Sequence, residues 1–426
     1  MLFMPFNILG IWFRGLLSIA IIAGGIYLLK RWYDESHVVV PVVVAPTVEK
    51  PLNDADVRNR DLTVPVPTRR VFRFDPGMNR ETAYLASGIA LLALAVVGSW
   101  VRQALSMMFG GPKPAKGTAA DEPRDDRTGD VHRIKRPDGS ELHVECYGPA
   151  HAPPVIMTHG WGCNSTEWFY PKKNLANRFR LILWDLPGLG LSKKPDNNDY
   201  RLEKLAADLN AVLAFAGDRP AVLVGHSIGG MITLSLCKFF PESLERRVAG
   251  LVLAHTSYTN PVRTTKMASL YTAIEKPVII PLLYLTIALW PLVWLMNWMS
   301  YLNGSAHRST HKDSFAGTET RGQLDFCARF MPHARPDVLA RGMLGMLGYD
   351  AASTLPKIPV PTLVVVGDQD ATTLPEAGQF ISRGVPKAKL STLSPAKHLG
   401  LIEHHAKFDE LVSAFAESHL TTSVAH

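Results

Sequence analysis

Apolar positions are unevenly spread along this chain. Ile8 to Leu29 form one apolar stretch, interrupted by Arg14, and Thr82 to Val101 form a second without a charged residue. A helix crossing a bilayer needs about 20 such residues, so transmembrane helices are predicted over residues 1–29 and 82–101. Arg14 must carry its charge to the interface, or the span must begin after it. A cleaved signal peptide is the rival reading of the first stretch, but Lys30-Arg31 follow directly and no small-residue cleavage site is evident. Between the spans, residues 30–81 contain HVVVPVVVAP and TVPVPTRRVFRF. Valine runs favour extended structure and prolines exclude a central strand, which predicts a short extramembrane module. Residues 102–130 end in GGPKPAKGTAADEPRDDRTGD, the composition of a flexible linker.

From Val131 the pattern changes. VHRIKR, the turn PDGS and ELHVECYG read as a β-hairpin turned by Asp138-Gly139. Short apolar runs then alternate with helical patterns: PPVIMTH, FRLILWD, AVLVGH, AGLVLAH, PTLVVVG and a weaker AKLSTLS. Continuous apolar strands alternating with amphipathic helices predict an α/β fold, a mostly parallel sheet covered on both faces. The globular domain is placed at residues 131–420, with an insertion over about 256–360 that is far longer than one crossover needs. No internal repeat is found.

Composition narrows the class. The 426 residues are 47% apolar and 19% charged, which excludes a wholly disordered chain. The formal charge of +7 is not concentrated into one basic patch, so nucleic acid is not implied. Cys146, Cys163, Cys237 and Cys327 form no CxxC pair, so zinc and thioredoxin-like chemistry are not indicated and free thiols are expected. No metal or cofactor is called for.

The chemistry concentrates in a few loops. Gly225-His226-Ser227-Ile228-Gly229 follows the strand AVLVGH and precedes the helical MITLSLCKFF. That is the setting of a nucleophile elbow, a tight strand-to-helix turn that exposes a serine hydroxyl. The serine needs an acid and a base later in the chain. Asp370, in Gly367-Asp368-Gln369-Asp370, and His398, in Ser394-Pro395-Ala396-Lys397-His398, lie just past predicted strand ends. That is the ligand side of a parallel sheet. Asp368 is the alternative acid, while His404 and His405 read as surface residues of the last helix. An oxyanion hole needs two backbone N–H donors. Ile228, next to the nucleophile, and Trp161, in His159-Gly160-Trp161-Gly162, are the candidates. Asp185, opening DLPGLGLS, reads as a structural residue that ties down backbone amides.

HGWG, DLPGLGLS, GHSIGG, GDQD and KHLGLIEH, in this order, resemble the α/β-hydrolase superfamily over about residues 131–420. The resemblance implies an eight-stranded sheet and a Ser-His-Asp triad with the acid at Asp370. One departure is Lys397, where the family often has glycine before the histidine. Relatives with dehalogenase or epoxide-hydrolase activity carry an elbow aspartate, so Ser227 argues against both.

In this superfamily an insertion at 256–360 resembles a cap over the site. Pro277 to Ala306 contains no Asp, Glu, Lys, Arg or His, and carries Trp290, Trp294 and Trp298. A single crossing would put Ser227 and the Asp370/His398 pair on opposite sides, and Pro281 and Pro291 are expected to break a straight helix. The cap therefore either dips into the bilayer interface or forms a buried lid over an apolar pocket. The whole looks like a membrane-bound monoacylglycerol lipase. The expected function is a serine esterase with a lipophilic small-molecule ester as substrate and membrane lipid as a partner. Other triad reactions (thioester, amide or carbon–carbon hydrolysis, or cofactor-free haloperoxidase-like activity) and a non-catalytic membrane scaffold are the alternatives. Two spans return the chain to its starting side, and the absence of a disulfide pattern favours a cytoplasmic hydrolase domain.

Overall fold

The computed structural model describes residues 5–42, 67–74, 76–77, 79–109 and 121–420. It divides into two compact units, Leu17–Val97 and Met1–Leu16 with Gly98–His426.

In the smaller unit, helix α1 (Pro5–Ser36, whose residues up to Leu16 belong to the larger unit) leads into strand β1 (His37–Pro41). Strand β2 (Thr68–Phe72) pairs with it antiparallel, His37 opposite Phe72, and helix α2 (Arg80–Phe109, whose residues from Gly98 belong to the larger unit) follows. The described parts of both predicted spans are thus helical, and of the segments read as extended, His37–Pro41 and Thr68–Phe72 form strands. Residues 43–66 lie outside the described residues. The two helices meet at Gly25 and Gly88. A Cβ on Gly25 would lie 3.2 Å from the Gly88 carbonyl oxygen and one on Gly88 3.1 Å from that of Gly25, so small residues permit this approach. Helix α2 continues eight residues past the predicted end of the span at 101, into what composition marked as linker.

The larger unit is an eight-stranded sheet. Its strands are β3 (Asp130–Lys135), β4 (Glu141–Tyr147), β5 (Pro154–Thr158), β6 (Arg180–Trp184), β7 (Ala221–His226), β8 (Val248–Ala254), β9 (Thr362–Gly367) and β10 (Ala388–Leu393). Their order across the sheet is β3-β4-β6-β5-β7-β8-β9-β10. The hairpin β3–β4 joins antiparallel, and β5 to β10 run parallel. Strands β5, β7 and β9 are buried at every residue, as continuous apolar runs require when helices cover both faces. Edge strand β10 exposes Lys389 and Leu390, which explains its weak apolar signal. The helices of this unit are α3 (Phe169–Leu175), α4 (Leu202–Ala216), α5 (Ile228–Phe239), α6 (Pro241–Arg247), α7 (Ala268–Ile274), α8 (Ile280–Ala288), α9 (Trp290–Leu302), α10 (Ser305–Ser314), α11 (Arg321–His333), α12 (Pro336–Leu347), α13 (Pro375–Gly384), α14 (Gly400–Glu403) and α15 (His405–Leu420). From β5 the chain steps out to β6 and returns to the other side of β5 as β7. That reversal opens a crevice beyond the C-terminal ends of β5 and β7, where parallel sheets hold their ligands.

Two expectations are corrected. The predicted linker 102–130 is helical to Phe109, residues 110–120 lie outside the described residues, and 121–129 are tied to the sheet unit. Arg127 Nη1 donates to Glu145 Oε1 at 2.5 Å, Ser165 Oγ at 2.9 Å and Asp185 Oδ2 at 3.2 Å. These partners are distant in sequence, so composition alone reads the segment as loose. Pro281 does not interrupt the cap helix either. A π-turn over Glu275–Ile279 runs without a gap from α7 into α8, with Pro281 in the first turn of α8. The turn before it is already widened to i→i−5 bonding, Ile280 N donating to Glu275 O, so the bond that Pro281 cannot make falls where the α-helical ladder is locally rearranged. Pro291 takes the same first-turn place in α9, and the break falls before it, at Leu289 (φ −103°, ψ 26°). The helical run Ala268–Ala288 is long and apolar enough to cross a membrane by length and composition. The insertion containing it leaves β8 and returns to its parallel neighbour β9.

Candidate active site

Ser227 sits between β7 and α5 at φ 54°, ψ −116°, a conformation that costs a non-glycine residue about 1–3 kcal/mol. The surroundings hold it there. Its N–H donates to Ala254 O (2.9 Å), while its carbonyl accepts from Gly230 N (3.0 Å), Met231 N (3.2 Å) and Thr256 Oγ1 (2.6 Å). Close packing dictates the neighbouring glycines. A Cβ at Gly225 would collide with the Gly229 carbonyl group, and one at Gly229 with the Thr158 carbonyl oxygen.

The loops after β9 and β10 bring Asp370 and His398 together. His398 Nδ1 lies 2.6 Å from Asp370 Oδ2, so its proton is directed at the carboxylate. Thr373 Oγ1 donates to the same oxygen (2.9 Å), and Thr372 N and Thr373 N donate to Oδ1 (2.8 and 3.1 Å). Burial alone would raise the Asp370 pKa. The two histidines beside it and its hydrogen bonds outweigh burial and hold it well below the usual carboxylate range. Burial pushes His398 down, to about 3, against the pull of Asp370. Its Nε2 is buried without a hydrogen-bond partner among the described residues, and no hydrogen bond joins it to Ser227. Such contacts are often loose before substrate binds. Asp368 plays another part. It accepts from Ser394 Oγ (2.7 Å) and Ala396 N (2.8 Å), bracing the loop that leads to His398.

Trp161 follows β5 and Ile228 opens α5, so their N–H groups lie past adjacent strands, with Thr158 in register with Gly225. Neither N–H donates to a backbone acceptor outside regular elements among the described residues, and the first N–H of a helix has none within it. The Trp161 ring is held from the cap, its Nε1 donating to Leu339 O (3.1 Å). Asp185 ties down amides as read, accepting from Ser165 N (2.6 Å) and Leu191 N (2.8 Å). His405 is not a bare surface residue, since its ring stacks on Tyr170 at 3.6 Å.

The structure adds three residues that the motifs did not single out. His255, just past β8 at φ 47°, places Nδ1 3.4 Å from Asp370 Oδ2. The His255, Asp370 and His398 ligand atoms lie within 4.8 Å of one another. That donor set could hold a metal ion, but only by spending the bonds that orient His398. Buried Glu167 accepts from Gly160 N (2.8 Å) and contacts His226 Nδ1 (2.9 Å), and His226 Nε2 reaches the His398 carbonyl (3.2 Å). This chain of contacts links the Trp161 loop to the His398 loop. The one usable signal for His255 was its place at the C-terminal end of a predicted strand.

Comparisons with known proteins follow the same outline. A family profile described as "Alpha/beta hydrolase family" matches residues 155–411. The chain is 26% identical over 273 residues to a pimeloyl-[acyl-carrier protein] methyl ester esterase of Yersinia pseudotuberculosis, covering 62% of this chain and 93% of that one. It is 32% identical over 128 residues to a serine hydrolase-like protein of Danio rerio, covering 30% and 38%. Among solved structures, an esterase from Exiguobacterium antarcticum superposes with a TM-score of 0.55 at 22% identity, over 68% of this chain and all of that one. This last likeness concerns the fold.

Proposed function

The chain belongs to the alpha/beta hydrolase family, and from that premise we propose that it is a membrane-bound serine hydrolase that cleaves carboxylic esters of lipophilic substrates. The carrying observation is a strained, buried Ser227 at the end of β7 together with a His398–Asp370 couple whose Nε2 has no hydrogen-bond partner among the described residues. In this reading Ser227 Oγ attacks the ester carbonyl while His398 Nε2 takes its proton, and Asp370 stabilises the imidazolium. The Trp161 and Ile228 N–H groups receive the negative charge on the tetrahedral oxygen. The proton on His398 passes to the leaving alkoxide as the carbon–oxygen bond breaks, leaving an acyl-enzyme. Water, deprotonated by His398, then releases the acid and regenerates Ser227.

The cap and the N-terminal helices support the lipophilic substrate and the membrane. Tyr284, Leu285, Leu289, Leu292, Trp294 and Leu295 are all exposed on α8, α9 and the turn between them. An exposed apolar surface of this kind supports the interfacial cap over the buried lid. Helices α1 and α2 would anchor the chain, with the hydrolase domain on the cytoplasmic side. The esterase names among the relatives agree with ester chemistry.

Labelling with a fluorophosphonate probe tests the reaction class. The full chain should be labelled at Ser227, the label should vanish in Ser227→Ala, and it should fall strongly in His398→Ala. A folded wild-type protein that resists the probe would overturn the reading in favour of a non-catalytic scaffold.

A further inference from the structure

Two charges that the functional reading leaves unexplained are Arg14, inside the first apolar stretch, and Lys397, where the family often has glycine. They meet in the larger unit. A cavity of about 570 Å³ is lined by Arg14, Lys266, Lys312 and Lys397, with Asp313 as its one acidic wall residue. The rest of its lining includes Gln369, Ala371 and Thr372, which flank Asp370. We propose that this cavity binds a phosphate-bearing anion, the headgroup of an anionic phospholipid, against the loops that hold Asp370 and His398.

The placement of Arg14 is specific. Trp12 Nε1 donates to Thr286 Oγ1 on α8 (3.0 Å), and Arg14 Nη1 donates to Ser309 Oγ on α10 (3.2 Å). Gly15 lies against Met296 of α9, where a Cβ would overlap the Met296 side chain. The start of α1 is therefore fixed on the cap, and its one basic residue is directed to the cavity. Lys397 is fixed as well, its Nζ donating to Lys312 O (2.6 Å). Lys266 and Lys312 are exposed and have no ion-pair partner among the described residues. Asp313 accepts from Ser309 Oγ (2.9 Å). Four cations against one carboxylate leave a net charge of +3 on the wall.

An anion with one or two charges and several acceptor oxygens meets that need better than a neutral polar group. The source follows from position. Arg14 lies near the start of an apolar helix, where a bilayer-spanning segment meets headgroups, and basic pockets beside such helices hold anionic headgroups. Free phosphate shares the chemistry and is separated from lipid by experiment.

The test uses the full chain in neutral detergent micelles. Soluble dihexanoylphosphatidylglycerol is titrated against dihexanoylphosphatidylcholine and inorganic phosphate, with binding read by calorimetry and by the shift in Tm. Phosphatidylglycerol should bind saturably and raise Tm. Phosphatidylcholine, with the same chains and no net charge, should bind at least about tenfold more weakly, a difference of about 1.4 kcal/mol. Lys266→Gln with Lys312→Gln should weaken phosphatidylglycerol by a similar factor. Lys387→Gln with Lys389→Gln, at the outer edge of the sheet, should leave it unchanged. Ser227→Ala should bind as wild type does, so the outcome is independent of the esterase reading. Saturable binding of inorganic phosphate, lost in Lys266→Gln/Lys312→Gln, would keep the site and assign it to the free anion. Equal binding of both lipids, or undiminished phosphatidylglycerol binding by a folded Lys266→Gln/Lys312→Gln protein, would overturn the proposal.

Discussion

His255 and His398 converge on one oxygen, their Nδ1 atoms lying 3.4 and 2.6 Å from Asp370 Oδ2. A carboxylate that serves two donors gives each less of its charge. With its Nδ1 proton on Asp370, His255 withdraws negative charge from the group that would stabilise protonated His398. Burial acts in the same direction, lowering the His398 pKa to about 3. At pH 5 to 6 His398 is therefore neutral and able to accept a proton, so kcat/KM should hold its plateau below the ordinary histidine range near 6.5. Replacing His255 with Asn removes the second imidazole. The acid limb of the pH–rate profile should then move to higher pH, with kcat at the plateau changed by about tenfold or less. A profile that does not move would reduce His255 to a packing residue.

The two neighbouring carboxylates separate by what they touch. Asp370→Asn removes the charge that faces the histidine proton and leaves an amide that can present the wrong group to Nδ1. A fall in kcat of several orders of magnitude is expected. Asp368→Asn keeps an oxygen for Ala396 N and disturbs only the loop brace, so its loss should be about tenfold or less, the scale of one hydrogen bond. Steady-state kinetics on a soluble acetate ester, with circular dichroism as the folding control, distinguishes the two. Equal losses would move the acid role toward Asp368.

Much of this was legible in the sequence. The runs ending in VGH, LAH and VVG are continuous because both faces of β7, β8 and β9 are buried, and their C-terminal ends mark where chemistry can sit. Ser227, Asp370 and His398 each announce themselves by a turn at such an end. His255 did not, because its partner Asp370 is 115 residues away and nothing local distinguishes it from a residue that closes a strand. The segment around Arg127 was read as linker for the same reason, since Glu145, Ser165 and Asp185, which hold its guanidinium, lie 18 to 58 residues away. Pro281 misled in the opposite sense. Proline rules assume α-helical spacing, and the π-turn before α8 changes that spacing.

Asp409 on α15 predicts how stability varies with pH. It accepts from Asn174 Nδ2 (2.7 Å), while its Oδ1 is buried without a hydrogen-bond partner among the described residues. Burial raises its pKa to about 7. Between roughly pH 4 and pH 7 the unfolded chain releases this proton and the folded chain keeps it, so stability falls as pH rises through that window. Above it the folded protein carries a buried charge. Asp409→Asn keeps an acceptor for Asn174 and removes the titration. It should raise stability at pH 8 by on the order of 1–4 kcal/mol and change it little at pH 4. Denaturant melts at the two pH values give the comparison, and a gain of the same size at both would exclude the titration of Asp409 as its cause.

The cap offers the sharpest test of substrate class. Leu295 is 51% exposed and Trp294 41% exposed on α9. Trp294 also donates from Nε1 to Pro332 O at 2.9 Å, so the two positions differ: Leu295 is surface alone, while Trp294 also helps to hold α9 on α11. Leu295→Asp therefore places a charge where lipid or an acyl chain would lie without removing a hydrogen bond, at a cost of about 2–4 kcal/mol in a bilayer-like setting. The charge is introduced on the exposed face of the cap, with the Ser227 turn and the His398–Asp370 pair left intact. A short water-soluble acetate should keep most of its kcat. Long-chain esters presented in membranes should lose kcat/KM mainly through KM, since the lost interaction serves ground state and transition state alike. Trp294→Glu should lose more on both substrates, because the Pro332 contact goes with it. The measurement is the ratio of kcat/KM for long over short esters, variant against wild type. A ratio unchanged in Leu295→Asp would leave the exposed apolar face of α8 and α9 without a part in substrate access, and the case for a lipophilic substrate would lose its main support.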